Sequence, residues 1–380
     1  MIIGEFNDAY PPELDGVGMV VKSYAQELSQ MGDECYYIAP NDPDYKNELT
    51  FRTLLFRGIK MHDEPYHVGV PLLDPHYLIR ENRIKFDVVH AHSPFTAGLE
   101  ALRISRDRKI PLIATFHSKY YDDIYSKTHS ELLAGFGTNL VVTFYNHCDE
   151  VWAVNEKTAD VLREYGYKRE IRIMPNGTNI DTPDPRVVGE IERRYGLAAG
   201  EPVFVFVGQM NWKKNQHRVL EAVALFAKER KCRLFMVGQG PDEEAIREEA
   251  ARLGLADTVI FTGHISDRKR LLAIVSRADL MIFPSLYDNA PMVVREAASV
   301  GTPAILVRNS CASEGVTDGF NGLLCEDTAE SVCACMKRGL AEKDVIGENA
   351  KKTIPIAWRP IIEKARERYE YLIGLKNMGR

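Results

Sequence analysis

The chain is 380 residues long, 45% hydrophobic and 27% charged, with a formal net charge of −6. That length predicts two domains, and the composition is ordinary for a soluble globular protein. The negative balance argues against non-specific nucleic-acid binding, and no apolar run reaches the roughly 18 residues of a membrane-spanning helix.

Met1-Ile-Ile-Gly-Glu5 enters a strand directly, without the basic start and apolar stretch of a signal peptide. Strand patterns follow at 35–39, 87–91, 112–116, 150–153 and 171–174, alternating with helical patterns at 18–31, 94–108 and 156–165. Around residues 181–200, Asp181-Thr-Pro-Asp-Pro185 and Gly196-Leu-Ala-Ala-Gly-Glu-Pro202 read as a connecting segment. The rhythm then restarts, with strands expected at 203–207, 233–237, 259–262, 280–283 and 304–307. A last helix is expected from about Pro360 to Leu375, after the break at Ile354-Pro-Ile-Ala-Trp358. The fold class is therefore α/β, with two Rossmann-like domains of largely parallel sheet, at 1–182 and 198–356. The seven cysteines show no metal-ligand spacing, so free thiols in a reducing cytoplasm are expected.

In open α/β sheets ligands bind beyond the carboxyl ends of the strands, and two such domains face each other across a cleft. The loops after the strands therefore carry the candidates. After the first strand, Gly16 and Gly18 would let backbone approach a phosphate at a helix start. Position 21 is Val, so this is no dinucleotide fingerprint, and plain turn glycines explain it about as well. Val89-His-Ala-His-Ser-Pro-Phe95 puts His90 and His92 on one strand face, but no carboxylate partner for a metal is signposted. Thr115-Phe-His-Ser118 ends a strand on His117, suited to bonding a sugar hydroxyl or to holding its own loop.

In the second half, Gly208-Gln-Met-Asn-Trp-Lys-Lys-Asn215 places Lys213 and Lys214 past a strand end, as phosphate neutralisers or as solvated lysines. Gly238-Gln-Gly-Pro241 and Thr262-Gly-His-Ile265 are ordinary turns taken singly. The most informative stretch runs from Phe283 to Ile305. Asp288 lies in the loop after a buried strand, and Glu296 lies in the second turn of a helix whose first position suits Pro291. Free amides between two carboxylates suit a phosphorylated sugar.

Taken together and in order, these loops resemble the retaining, nucleotide-sugar-dependent group-1 glycosyltransferases of GT-B architecture, from end to end of the chain. The carrying motif is an acid, seven residues, Glu, Ala and Gly-x-Pro, here Asp288, Glu296, Ala297 and Gly301-Thr-Pro303. The resemblance implies that the last helix, 357–380, crosses back onto the N-terminal, acceptor-binding domain, leaving 198–356 to bind the donor. It implies that Glu296 binds ribose hydroxyls, Asp288 donor-sugar hydroxyls and Lys214 the diphosphate. His117 would lie near sugar and acceptor, and the Gly16 amide would approach the phosphate. Gly238, Gly240, His264 and Ile265 would frame the base, with amides near Met292 and Val293 on the leaving diphosphate. No cofactor and no metal is implied, since lysine and helix-start amides take the metal's part. The chemistry expected is front-face transfer with retention.

Two departures stand out. Gln209 replaces the family's arginine, so stabilisation of the leaving diphosphate is either weaker or supplied by Lys213. Asp288 replaces its glutamate, with Asn289 in place of glycine. The N-terminal motifs Leu14-Asp-Gly-Val-Gly18, 89–96 and 115–120 are most similar to bacterial diacylglycerol glucosyltransferases. The resemblance thus implies glucose moved from a UDP-sugar to a lipid of diacylglycerol type, in the cytoplasm or at the inner membrane face. The first 180 residues nevertheless carry more acidic than basic groups, so a saccharide acceptor stays open. GDP-mannose as donor and a non-catalytic nucleotide-sugar-binding subunit are the alternatives. A phosphorylase or epimerase shares the fold, and a dehydrogenase lacks its glycine fingerprint here.

Overall fold

The structure is a computed structural model that describes residues 1–10, 16–41, 49, 51–60 and 67–379. The chain divides into two compact units, Met1–Gly177 with Trp358–Arg380, and Thr178–Ala357. It thus leaves the first unit after Gly177 and re-enters it at Trp358.

The first unit holds β1 (Ile2–Phe6), β2 (Glu34–Pro40), β3 (Arg52–Phe56), a small antiparallel pair β4 (Gly58–Lys60) and β5 (His67–Gly69), β6 (Val88–Ala91), β7 (Leu112–Phe116), β8 (Glu150–Ala153) and β9 (Arg172–Ile173). Seven of these form a parallel sheet in the order β3-β2-β1-β6-β7-β8-β9. The order reverses direction between β1 and β6, so the crevice of such a sheet opens beyond the ends of those two strands. Its helices are α1 (Gly16–Gln30), α2 (Pro75–Arg83), α3 (Thr96–Arg108), α4 (Tyr120–Thr128), α5 (Glu131–Asn146) and α6 (Glu156–Glu164).

The second unit holds α7 (Pro185–Tyr195), β10 (Val203–Val207), α8 (Gln216–Ala227), β11 (Arg233–Val237), α9 (Glu243–Arg252), β12 (Val259–Gly263), α10 (Arg268–Arg277), β13 (Leu280–Ile282), α11 (Met292–Ser299), β14 (Ala304–Val307), β15 (Leu323–Cys325) and α12 (Ala329–Thr353). Its parallel sheet runs β12-β11-β10-β13-β14-β15, with the reversal between β10 and β13. Val203-Phe-Val-Phe-Val207 is buried on both faces, which is why it reads as an unbroken apolar run and sits in mid-sheet. Each large side chain buried there contributes roughly 1.5–3 kcal/mol. All seven cysteines are buried and free.

The last helix, α13 (Trp358–Asn377), packs beside α1 in the first unit. Arg366 pairs with Asp33 at 2.7 Å and Arg368 with Glu150, while the Trp358 indole lies edge-on to Tyr24 at 6.2 Å. Gly177 lies so close to this indole that a Cβ would come within 2.5 Å of it. The expected return of the terminal helix is therefore observed.

Three expectations need correction. Residues 181–200 are not a plain connector, because Pro185–Tyr195 is helical. Asp184 caps it by accepting from the Arg186 N–H at 2.9 Å, and Gly196 closes it at φ 58°. The Pro and Gly that looked like linker punctuation are this helix's start and stop signals. Pro291 is not the first helical residue but the residue before it, extended at φ −64° and ψ 119°. Strands β3, β4, β5 and β15 and helices α2, α4 and α5 were not anticipated; the strands and α2 are short, and α5 exposes apolar residues that blur its helical periodicity.

Candidate functional site

In the second unit, the loops after β10 and β13 flank the reversal of strand order. The Asn211 side chain turns the first loop by accepting from the Lys213 N–H at 3.0 Å, and Asn215 closes it in the left-handed region at φ 63°. Asn215 Nδ2 then donates to the Pro284 carbonyl at 3.0 Å and to Asp327 at 2.8 Å, binding the two loops together. This brings Lys214 Nζ onto Asp288 Oδ1 as an ion pair, with both side chains largely shielded. Ser285 Oγ donates to the other Asp288 oxygen at 2.6 Å, and Lys213 and Lys214 both lie over the Tyr287 ring, at 5.3 and 5.6 Å. Gln209 is exposed, and its carbonyl accepts from the buried Gln216 amide at 2.8 Å.

Helix α11 starts just beyond. No side chain caps it, and Pro291 supplies no N–H, so the amides of Met292 and Val293 stand at an uncapped helix start, which carries partial positive charge. Asn289 is buried at the approach to this turn. Glu296 receives Arg268 Nη1 on Oε1 at 2.6 Å. Arg268 also donates to Asp181 at 2.6 Å and to the Asn179 carbonyl at 3.3 Å. Sequence reasoning missed Arg268. Its signal was a cation directly after Asp267, which caps α10 by accepting from the Lys269 N–H at 2.9 Å.

Gly238 and Gly240 follow β11, and both are needed for backbone proximity. A Cβ on Gly238, at φ 135°, would collide with the Gly208 carbonyl, and one on Gly240 with the Met210 backbone. They let the loops after β10 and β11 close together, as the Met210 N–H to Gln239 carbonyl bond of 3.1 Å shows. His264 and Ile265 follow β12, exposed and half-buried. The donor-side candidates thus come from the carboxyl ends of four adjacent strands.

In the first unit, Gly16 opens α1 and is exposed, with open space where a Cβ would stand. Leu14 and Asp15 of that motif lie outside the described residues. His117 follows β7 and is 8% exposed. Its Nε2 lies 3.1 Å from His92 Nδ1, and His92 Nε2 lies 2.8 Å from Glu5 Oε2. Strand pairing places Glu5 beside His90, whose Nδ1 is 3.1 Å from the same carboxylate oxygen. Tyr369 of α13 donates to Glu5 Oε1 at 3.0 Å and lies 2.7 Å from His90 Nδ1. His90 Nε2 meets Thr115 Oγ1 at 2.8 Å.

The carboxylate that the sequence did not signpost beside the two histidines is Glu5, a strand neighbour 85 residues from His90 and invisible to sequence spacing. Glu5, His90 and His92 converge closely. All four ring nitrogens are engaged by protein groups, so the set is a hydrogen-bonded chain. Burial raises the Glu5 carboxyl, but the charge and hydrogen bonds of His90 and His92 more than reverse this and hold it at about 2. Burial and repulsion from His90 lower His92 to about 4, against the opposing pull of Glu5. Burial, then His92 and His90, hold His117 well below the usual histidine range.

Residues 188–353 match the family described as glycosyl transferases group 1, and residues 14–182 match glycosyltransferase family 4. The chain is 26% identical over 346 residues to an alpha-monoglucosyldiacylglycerol synthase of Streptococcus pneumoniae, covering 85% of this chain and 75% of that one. It is 24% identical over 324 residues to a GDP-mannose-dependent alpha-mannosyltransferase of Corynebacterium glutamicum, covering 83% and 75%. Among solved structures, Anabaena HepE with UDP and glucose superposes with a TM-score of 0.80 at 18% identity, covering 97% of this chain and 99% of that one. Sucrose-phosphate synthase of Thermosynechococcus elongatus gives a TM-score of 0.80 at 19% identity, covering 98% and 99%. These neighbours share the GT-B fold of two such units.

Proposed function

Because the chain belongs to the group 1 glycosyltransferases, we propose that it moves glucose from UDP-glucose to the hydroxyl of a diacylglycerol-type lipid, with retention and without a metal. The observation that carries this reading is the Lys214–Asp288 pair beside the uncapped start of α11. The pair supports it by offering a cation able to neutralise a diphosphate and a carboxylate able to bind sugar hydroxyls. As the sugar–phosphate bond stretches, charge builds on the leaving diphosphate, and Lys214 with the Met292 and Val293 amides meets it. Asp288, held by the buried Ser285 hydroxyl, orients the sugar, Glu296 takes the ribose hydroxyls, and the turns at Gly238–Pro241 and His264–Ile265 frame the base. The acceptor hydroxyl attacks from the face the diphosphate leaves.

Relatives named as glucosyldiacylglycerol synthases support the lipid acceptor. So does α5, which exposes Leu132, Leu133, Phe136 and Leu140 along one face, Leu132 at 82%. An exposed apolar stripe of this kind suits contact with a lipid or another apolar surface. No helix among the described residues is long and apolar enough to cross a membrane. The mannosyltransferase relative favours a second reading, GDP-mannose as donor.

The test is transfer from UDP-, GDP- and ADP-sugars to diacylglycerol vesicles and to free saccharides, with and without EDTA. Product anomer is read by proton NMR. Transfer only from GDP-mannose would replace the donor, an inverted product or EDTA-sensitive turnover would remove those parts of the reading, and donor binding without any turnover would leave a binding subunit.

A further inference from the structure

We infer that Glu5, two side chains removed from His117, dictates which nitrogen of His117 carries its proton, making it a positioning residue of the candidate site. Glu5 is fully buried, and an ionised carboxylate can only accept hydrogen bonds. His92 Nε2, 2.8 Å from Glu5 Oε2, must therefore carry a proton. A neutral imidazole has one donor and one acceptor, so His92 Nδ1 accepts. The group 3.1 Å from that nitrogen is His117 Nε2, which must then donate. His117 is left with Nδ1 as an acceptor.

The surroundings hold this arrangement in place. His92 is stacked on His117 with ring centroids 5.3 Å apart, and Tyr24 lies edge-on to His90 and His92 at 5.6 and 5.4 Å. The buried Cys35 thiol also feels the Glu5 charge. Tyr369 donates to the second Glu5 oxygen and stacks on Trp152 at 5.7 Å, so the carboxylate cannot rotate away from His92 without losing that bond. Burial disfavours a second proton on His92, consistent with its pKa of about 4.

A chemical consequence follows. With Nδ1 as its acceptor, the His117 ring can there only accept a hydrogen bond from a donor such as a hydroxyl; it does not donate from that nitrogen to a sugar oxygen and does not act as a general acid through it at neutral pH. This consequence rests on the glycosyl-transfer reading, whereas the tautomer itself does not.

The deciding experiment is long-range proton–nitrogen NMR on the full chain with nitrogen-15 histidine, at pH 7. Signals are assigned by their loss in His92→Asn and His117→Asn. Both rings are expected as neutral Nε2–H tautomers. A Nδ1–H tautomer or a doubly protonated ring at either position overturns the inference, as does a stoichiometric bound metal that shifts both signals. In Glu5→Gln the amide no longer compels acceptance, so the His117 signature is expected to change and kcat/KM with UDP-glucose to fall about tenfold. Unchanged His117 nitrogen shifts in a folded Glu5→Gln chain also overturn it. Should that variant not fold, the wild-type spectrum alone decides. If UDP-glucose is not turned over by any form, the functional reading fails while the tautomer result stands.

Discussion

The two units each place acids beside basic groups, and they do it in opposite ways. In the first unit the carboxylate of Glu5 is sealed from solvent and every oxygen is occupied by a fixed donor. In the second, Asp288 and Glu296 stay partly exposed and each is met by the end of a long, flexible cation, Lys214 or Arg268. A fully sealed ionic set costs several kcal/mol to break, whereas a largely shielded pair that still reaches solvent costs less and yields more readily to a ligand. The first arrangement therefore fixes protonation and geometry in advance. The second keeps its charges at the reach of solvent, where on the proposed function phosphate and hydroxyls would take the pairs apart.

The contrast breaks most sharply at Glu5. Glu5→Ala should destabilise the first unit by about 3–5 kcal/mol, because it leaves buried imidazoles without their acceptor; chemical denaturation would show a lowered midpoint at unchanged slope. If the loss is under about 1 kcal/mol, the set is not the fixed centre described. Next in size is Lys214→Ala. It should lower UDP-glucose turnover about 10²–10³-fold, the cost of one lost stabiliser of developing charge, while the melting temperature hardly moves. A large stability loss there would make the pair structural.

Acid separates the units further. The folded-state pKa of His92, about 4, lies below its ordinary 6.5. The unfolded chain therefore binds more protons between those values, and stability should fall as pH drops from 6.5 to 4. Glu5, depressed from 4.5 to about 2, adds a further loss as pH falls through that lower window. Unfolding free energies at pH 7, 5 and 4 should decline by a few kcal/mol, and His92→Asn should flatten the upper part of that decline. The smallest effect is expected at Arg268. Arg268→Ala should raise KM for the nucleotide sugar about fivefold with kcat nearly unchanged, since it orients Glu296 without touching the reacting bond. An equal fall in kcat would place Arg268 closer to the chemistry.

How much of this was legible beforehand depends on the range over which residues act. Fully buried parallel strands such as Val203–Val207 announce themselves as apolar runs, and the carboxyl-end rule then locates Lys214, Asp288 and Glu296 without coordinates. Helix α7 was obscured because Asp184-Pro185 and Gly196 carry the same residue types as a linker. Arg268 and Glu5 were invisible for another reason. Each acts through partners distant in sequence, Arg268 on Asp181 and Glu296, Glu5 on His92 and Tyr369, and only strand register and helix packing bring them within 3 Å.

The return of α13 has a consequence for biosynthesis. Tyr369, which completes the bonding of Glu5, is 364 residues away from it in the chain. A ribosome that has released the whole first sheet has not yet made this tyrosine. The amino-terminal half must wait, with Glu5 incompletely bonded, through synthesis of the entire second unit. Its final consolidation is thus a late event, and a nonsense mutation just before residue 369 would strike the oldest part of the nascent protein rather than the newest.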